Sequence, residues 1–189
     1  NTLSSKVILR LFGFLAPLLM LAPVGHADFL TKADQAFYKR AFSDAGKSNW
    51  KQVDRRVQKV QEQLPKKALK WMRIIDPKGK MNFQEISTFI HANPNWPYQA
   101  KLRRRAEEAI SEKTPKSDIL KWFEGTVPTT GVGAFHLVRV LLSEKLTAEA
   151  TMIARHTWVN IDMAYRIENQ FRKRYRKLIR AEDHITRLD

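Results

Sequence analysis

The chain has 189 residues, with 34 Lys and Arg against 19 Asp and Glu, a net charge of +15, and no cysteine. That length allows one domain or part of a larger one, and the lack of thiols excludes disulfides and a lipid-modified cysteine. The charge favours a polyanion as partner, whether nucleic acid, acidic glycan or membrane surface, without choosing between them.

Residues 1–27 read as a secretory signal peptide. Lys6 and Arg10 form a positive n-region, Leu11 to Val24 is uncharged and mostly apolar, and Gly25-His26-Ala27 is a small-x-small cleavage site before Asp28. A retained membrane anchor is the alternative. The 14 residues of that run fall short of the roughly 20 needed to span a bilayer as a helix, and Gly13, Pro17 and Pro23 interrupt it. Export without disulfides fits a bacterial periplasm, with no stable membrane insertion once the signal is removed. Cleavage takes Lys6 and Arg10 and no acidic residue, so the charge falls from +15 to +13. Export also turns the expected partner from nucleic acid to a cell-envelope polymer. The start at Asn1 and the stop at Leu188-Asp189, without a turn or tail signal, read as a fragment of a longer product.

From residue 28 onward nearly every segment repeats at the helical period and none alternates like a strand. Phe29, Ala33, Ala36, Phe37 and Ala41 give a first helix, expected to end near Asp44-Ala45-Gly46-Lys47 with the glycine in the left-handed cap. Asn49 is placed to cap a second helix striped by Val53, Val57, Val60 and Leu64. Pro65 starts a third, with Ala68, Leu69, Met72 and Ile75 inward, closed by the turn Asp76-Pro77-Lys78-Gly79. Asn82 to His91 is a short helix carrying Phe83, Ile86, Phe89 and Ile90 on its apolar side.

Asn93-Pro94-Asn95-Trp96-Pro97-Tyr98 is the pivot of the chain. Two prolines force the residues before them into extended backbone and end the preceding helix. The stripe Leu102, Ala106, Ala109 and Ile110 then predicts a helix over Gln99 to Glu112. Arg103, Arg104 and Arg105 stand one turn from Glu107 and Glu108, spaced for surface ion pairs. A proline-framed tryptophan ahead of such a helix is a corner between two stacked helices.

Beyond the corner, Thr114-Pro115 opens a helix with Ile119, Leu120, Trp122 and Phe123, which residues 125–131 break. Gly131-Val132-Gly133 starts the next helix, and Ala134 to Leu142 is apolar on most sides, as in a helix buried between neighbours. Thr147 begins a helix striped by Leu146, Ala150, Ile153, Ala154 and Trp158. A long helix is expected from Asp162 to Arg180, with Ala164, Phe171, Tyr175, Leu178 and Ile179 inward, and a last one from Ala181. About ten paired helices predict an all-α fold, stacked helical hairpins forming an α-superhelix or solenoid over residues 28–189. The tryptophans at 50, 71, 96, 122 and 158 are unevenly spaced, so any repeat is degenerate.

Little in the chain carries catalytic chemistry. His91, His136, His156 and His184 are isolated, without HxxxH or HExxH spacing, so neither a metal nor a cofactor is expected. No G-x-S-x-G elbow or phosphate-binding glycine loop is present. Glu168 shares a face with Ala164, Phe171 and Tyr175 and is either a general acid of raised pKa or, the preferred reading, an ion-pair partner of a neighbouring arginine. The substrate-binding candidates are Arg172, Lys173 and Arg174 on the last long helix and Arg103 and Arg104 at the corner, positioned to hold carboxylates of a peptide-bearing glycan; the plainer reading is a solvated helix face. Trp96 and Trp122 are candidates for stacking on sugar rings, although packing between helices is the commoner fate of such residues.

Several of these pieces, in order, resemble the N-terminal superhelical part of a soluble lytic murein transglycosylase. They are Asn93-Pro94-Asn95-Trp96-Pro97 with Leu102-Arg103-Arg104-Arg105-Ala106-Glu107, Trp122-Phe123 before Pro128-Thr129-Thr130-Gly131, Glu149-Ala150 through Arg155-His156-Thr157-Trp158, and Asp183-His184-Ile185-Thr186-Arg187-Leu188-Asp189. The resemblance spans roughly residues 82–189. It implies a further, lysozyme-like domain in which one glutamate, followed by serine, cuts the MurNAc–GlcNAc bond of peptidoglycan and leaves a 1,6-anhydro sugar. None of the ten glutamates here precedes a serine, so no catalytic residue is expected in this segment. The resemblance implies a non-catalytic arm that supports or threads glycan strands, its partners being those strands and the absent catalytic domain. A periplasmic TPR-like scaffold that binds a protein or peptide is the competing expectation.

Overall fold

In a computed structural model, residues 31–58 and 63–187 are described, and these are helical with no strand among them. The expected signal peptide, Phe29, Val60, Leu188 and Asp189 lie outside the described residues. Ten helices follow one another: α1 (Lys32–Gly46), α2 (Trp50–Val57), α3 (Gln63–Ile75), α4 (Phe83–Ala92), α5 (Gln99–Glu108), α6 (Lys116–Phe123), α7 (Gly131–Ser143), α8 (Thr147–Asn160), α9 (Tyr165–Tyr175) and α10 (Ala181–Thr186). The all-α expectation holds.

Helix starts are fixed by local polar chemistry. The Thr31 hydroxyl accepts from Asp34 N at 3.1 Å, and Thr130 does the same for Gly133 N at 3.0 Å. Asn82 and Glu85 form a reciprocal capping box, each side chain accepting from the other's main-chain N–H at 2.9 Å. The main packing partners are close in sequence. Successive helices pair (α1 with α2, α4 with α5, α6 with α7, α7 with α8), and next-but-one helices touch (α1 with α3, α3 with α5, α5 with α7, α7 with α9, α8 with α10).

Two apolar clusters result. The larger runs from Ile74 and Phe83 through Leu102, Phe123 and Leu137 to Trp158, Phe171 and Tyr175. The smaller gathers Tyr38, Ala41, Ala45, Trp50, Val53 and Leu69 beneath α1–α3. Each fully buried Leu, Ile or Phe contributes about 1.5–3 kcal/mol by leaving water. α7 is buried on most sides, as its composition predicts, because α5, α6, α8 and α9 all pack on it.

The corner at residues 93–98 also forms as expected. The Trp96 ring meets Phe89 of α4 edge-on at 5.9 Å. Gln99 Nε2 donates to the carbonyls of Asn93 and Trp96, both at 2.9 Å, and Trp71 Nε1 of α3 donates to Pro97 O at 3.1 Å. Those bonds fasten α4, α5 and α3 at one point.

Several local expectations fail. Gly46 stays helical, and the left-handed residue after α1 is Ser48 (φ 58°). Asn49 occupies the cap position of α2, but its side chain makes no capping bond. α3 begins at Gln63, so Pro65 falls inside its first turn, where a missing N–H costs nothing; Leu64 is 67% exposed. Ile74, not Ile75, is the deeper end of that stripe. α5 closes at Glu108, short of the expected Glu112. α9 is shorter than Asp162 to Arg180: Ala164 is extended (ψ 139°) and exposed while Met163 is buried. That strip stays out of the helix because Arg187 Nη1 donates to the carbonyls of Trp158 and Ile161 at the end of α8, drawing the chain across that end.

Candidate functional site

α9 ends on its basic run, and Arg172, Lys173 and Arg174 all lie exposed in its last turn. The carbonyl-rich end of a helix carries partial negative charge, which offsets part of their mutual repulsion. Arg172 Nη2 donates to Asn169 Oδ1 at 3.2 Å, and the Arg174 guanidinium lies over the Phe135 ring at 5.9 Å. No carboxylate among the described residues forms a salt bridge with Arg172, Lys173, Arg174, Arg176 or Lys177. Most other arginines are neutralised: Arg56 by Asp44, Arg73 by Asp54, Arg139 by Glu112, Arg155 by Asp183 and Arg187 by Glu168, at 2.7–2.9 Å.

Arg103 and Arg104 sit apart from this cluster, on α5, and face different surroundings. Arg103 covers the Trp122 ring at 4.7 Å. Trp122 is itself only 6% exposed and meets Phe83 edge-on at 5.4 Å, so it is a packing residue and not an open sugar platform. Arg104 reaches Glu108 at 4.0 Å and borders a polar cleft of about 450 Å³ with Thr129, Asn160, Asp162 and Ile167. The five basic candidates therefore divide between two helices, and the three of α9 have the freer charge.

Glu107 departs most from expectation. Its spacing allows a surface ion pair, yet it is 1% exposed and faces the start of α7. Glu107 Oε2 accepts from Thr129 N (2.9 Å), Thr130 N (2.8 Å) and Thr130 Oγ1 (2.9 Å), and Oε1 accepts from Thr129 Oγ1 (3.0 Å). Burial pushes its carboxyl above the ordinary value, outweighing the opposing bonds from Thr130 and Thr129. With four donors already attached, this carboxylate fixes the 124–130 segment to α5. The surface pairing falls to Arg105 and Glu108 at 2.8 Å. A signal did exist: Glu107 follows Ala106 and precedes Ile110 by three, on the flank of the buried stripe.

Glu168 follows the preferred expectation, pairing with Arg187 Nη2 at 2.8 Å. The histidines stay separate. His91 meets Trp122 edge-on, His184 meets Trp158 edge-on and His156 contacts Asn160. His136 is buried beside Arg139, with Glu112 3.9 Å away, and burial pushes its imidazole down, helped by Arg139 and Arg174. Among the described residues no three His, Asp or Glu gather as a metal site. No helix among them is long and apolar enough to cross a membrane.

No family model, curated protein or solved structure matches the chain. Its function is therefore argued from its own residues. The α9 cluster is suited to one kind of chemistry, electrostatic and hydrogen-bonded capture of carboxylates by guanidinium and ammonium groups.

Proposed function

We propose that this chain is the non-catalytic helical arm of a periplasmic lytic transglycosylase, an α-superhelix that supports or threads peptidoglycan strands beside a lysozyme-like domain elsewhere in the protein. The whole enzyme would cleave the MurNAc–GlcNAc bond with a 1,6-anhydromuramic product. The sequence resemblance over residues 82–189 names the family, and the packing of each helix on its nearest sequence neighbours supports a superhelical stack.

The observation that carries glycan contact is the unneutralised charge of Arg172, Lys173 and Arg174 on exposed α9. A chain that pairs most of its other arginines internally leaves these for an outside partner, and lactyl and stem-peptide carboxylates are the anions of an envelope glycan. Co-sedimentation of the purified protein with isolated sacculi tests this. Binding is expected at low salt, weakening as salt screens the charges and falling sharply in the Arg172→Ala/Lys173→Ala/Arg174→Ala variant. Binding that is absent at low salt, or indifferent to the triple substitution, refutes it.

A further inference from the structure

Tyr98 is held in a conformation that a folded chain normally avoids. Its backbone is left-handed (φ 63°, ψ 38°), a region that costs a non-glycine residue on the order of 1 kcal/mol. Its ring is 64% exposed and lies stacked on the Trp71 indole, with centroids 5.8 Å apart and planes 18° from parallel. The turn cannot relax cheaply, because Trp71 Nε1 holds Pro97 O and Gln99 Nε2 holds the carbonyls of Asn93 and Trp96. The corner thus fixes one aromatic ring on another and leaves the outer one in water.

Two cations flank this stack. Lys67 lies one helical turn before Trp71 on α3, its Nζ 5.7 Å from the Trp96 ring centre. Lys101 lies three residues after Tyr98 on α5. Both are exposed, and neither forms a salt bridge with a described carboxylate.

We propose that the Tyr98–Trp71 stack is a platform on which one pyranose ring of a β-linked amino-sugar glycan lies, with Lys67 and Lys101 placed for carboxylates of the same strand. This rests on the glycan-contacting function proposed above and adds where a sugar sits. The electron-rich ring face attracts the slightly positive C–H face of a pyranose. An open, one-sided platform also argues for this occupant over others. Small molecules favour concave sites that bury most of their surface, and a peptide anchor side chain needs a pocket. An extended polymer instead adds weak contacts along its length, here with the α9 cations.

The test is a titration of the ¹⁵N-labelled protein with tetra-N-acetylchitotetraose, following the five indole Nε1–H signals. Trp71 should shift with millimolar sugar while buried Trp122 and Trp158 stay still. Tyr98→Phe should keep the affinity and Tyr98→Ala lose about tenfold or more. Tyr98→Gly relieves the left-handed backbone, so it should keep or raise Tm while losing the sugar, which separates loss of binding from loss of fold. A Trp71 signal that never moves, or unchanged affinity in Tyr98→Gly, overturns the platform. Sacculus binding retained by Tyr98→Gly at wild-type strength would sink the platform and leave the α9 assignment intact. A Trp71 shift in a protein that ignores sacculi would do the reverse.

Discussion

Replacing Glu107 by alanine should be among the more damaging single changes in this chain. The substitution takes the acceptor from two main-chain N–H groups and two hydroxyls at once. Thr130 is buried and Thr129 exposed, so water can rescue the second pair but not the first. A buried donor left unsatisfied costs about 1–3 kcal/mol. Removal of a desolvated charge offsets part of the vacated volume, leaving a net loss of about 3 kcal/mol, or roughly 6–12 °C in Tm for a chain of this size. Glu107→Gln keeps the shape and one acceptor oxygen and should lose only about 1 kcal/mol.

The linkage sign follows from burial. The folded chain binds this proton more tightly than the unfolded one, so the stabilising share is fully present below the ordinary value of 4.5 and is lost as pH rises through the folded value. The stability of wild type relative to Glu107→Gln should therefore fall as pH rises above 4.5. Gly133 supplies a control for geometry. A Cβ there would stand 2.8 Å from Glu107 Oε2 and 3.1 Å from both Glu107 Cβ and Phe123 Cζ. Gly133→Ala should destabilise on its own and cost less when Glu107 is already alanine, a coupling of about 1 kcal/mol in a double-mutant cycle. Urea and thermal unfolding followed by circular dichroism measure all four proteins. A Glu107→Ala loss below about 1 kcal/mol, smaller than one orphaned buried donor, with strictly additive effects, would refute this account.

Three further outcomes are expected. Burial lowers the His136 pKa, so the unfolded chain takes its proton first and stability present above the ordinary value of 6.5 is lost as pH falls through it; His136→Gln, still facing Arg139, Glu112 and Arg174, should flatten the urea-midpoint change between neutral and mildly acid pH, and an unaltered slope would count against it. Gly79→Ala places a Cβ 1.9 Å from the Arg73 carbonyl oxygen, main chain that cannot step aside, and should lower stability by about 2–4 kcal/mol; an unchanged Tm contradicts the close approach. Arg187→Ala removes bonds to Trp158 O, Ile161 O and Glu168 and a ring contact with Trp158 at 4.8 Å; amide exchange across α10 should accelerate and stability fall by about 2 kcal/mol, whereas wild-type protection there would show that Arg187 does not hold it.

Local pattern determined most of the helices. Phe83, Ile86, Phe89 and Ile90 recur at helical spacing, Asn82 and Glu85 stand three apart, and Pro94 and Pro97 cannot continue a helix. Each effect acts over one turn of backbone, so sequence neighbours suffice to reveal it. The corner and the buried character of α7 were legible for the same reason. The partners that meet across longer stretches of chain were not. Spacing shows that Glu107 flanks a buried stripe, but not that Thr129 and Thr130, some 22 residues on, present their N–H groups to it. Helical period likewise continues α9 back to Asp162, and only Arg187, far along the chain, pulls that strip straight. Trp122 reads as a possible sugar platform until Phe83 and Arg103 close over it, and Tyr98 shows no sign of its left-handed backbone until Trp71 takes its ring. Backbone propensity is written residue by residue, whereas the identity of what fills a buried face depends on which distant segment arrives there.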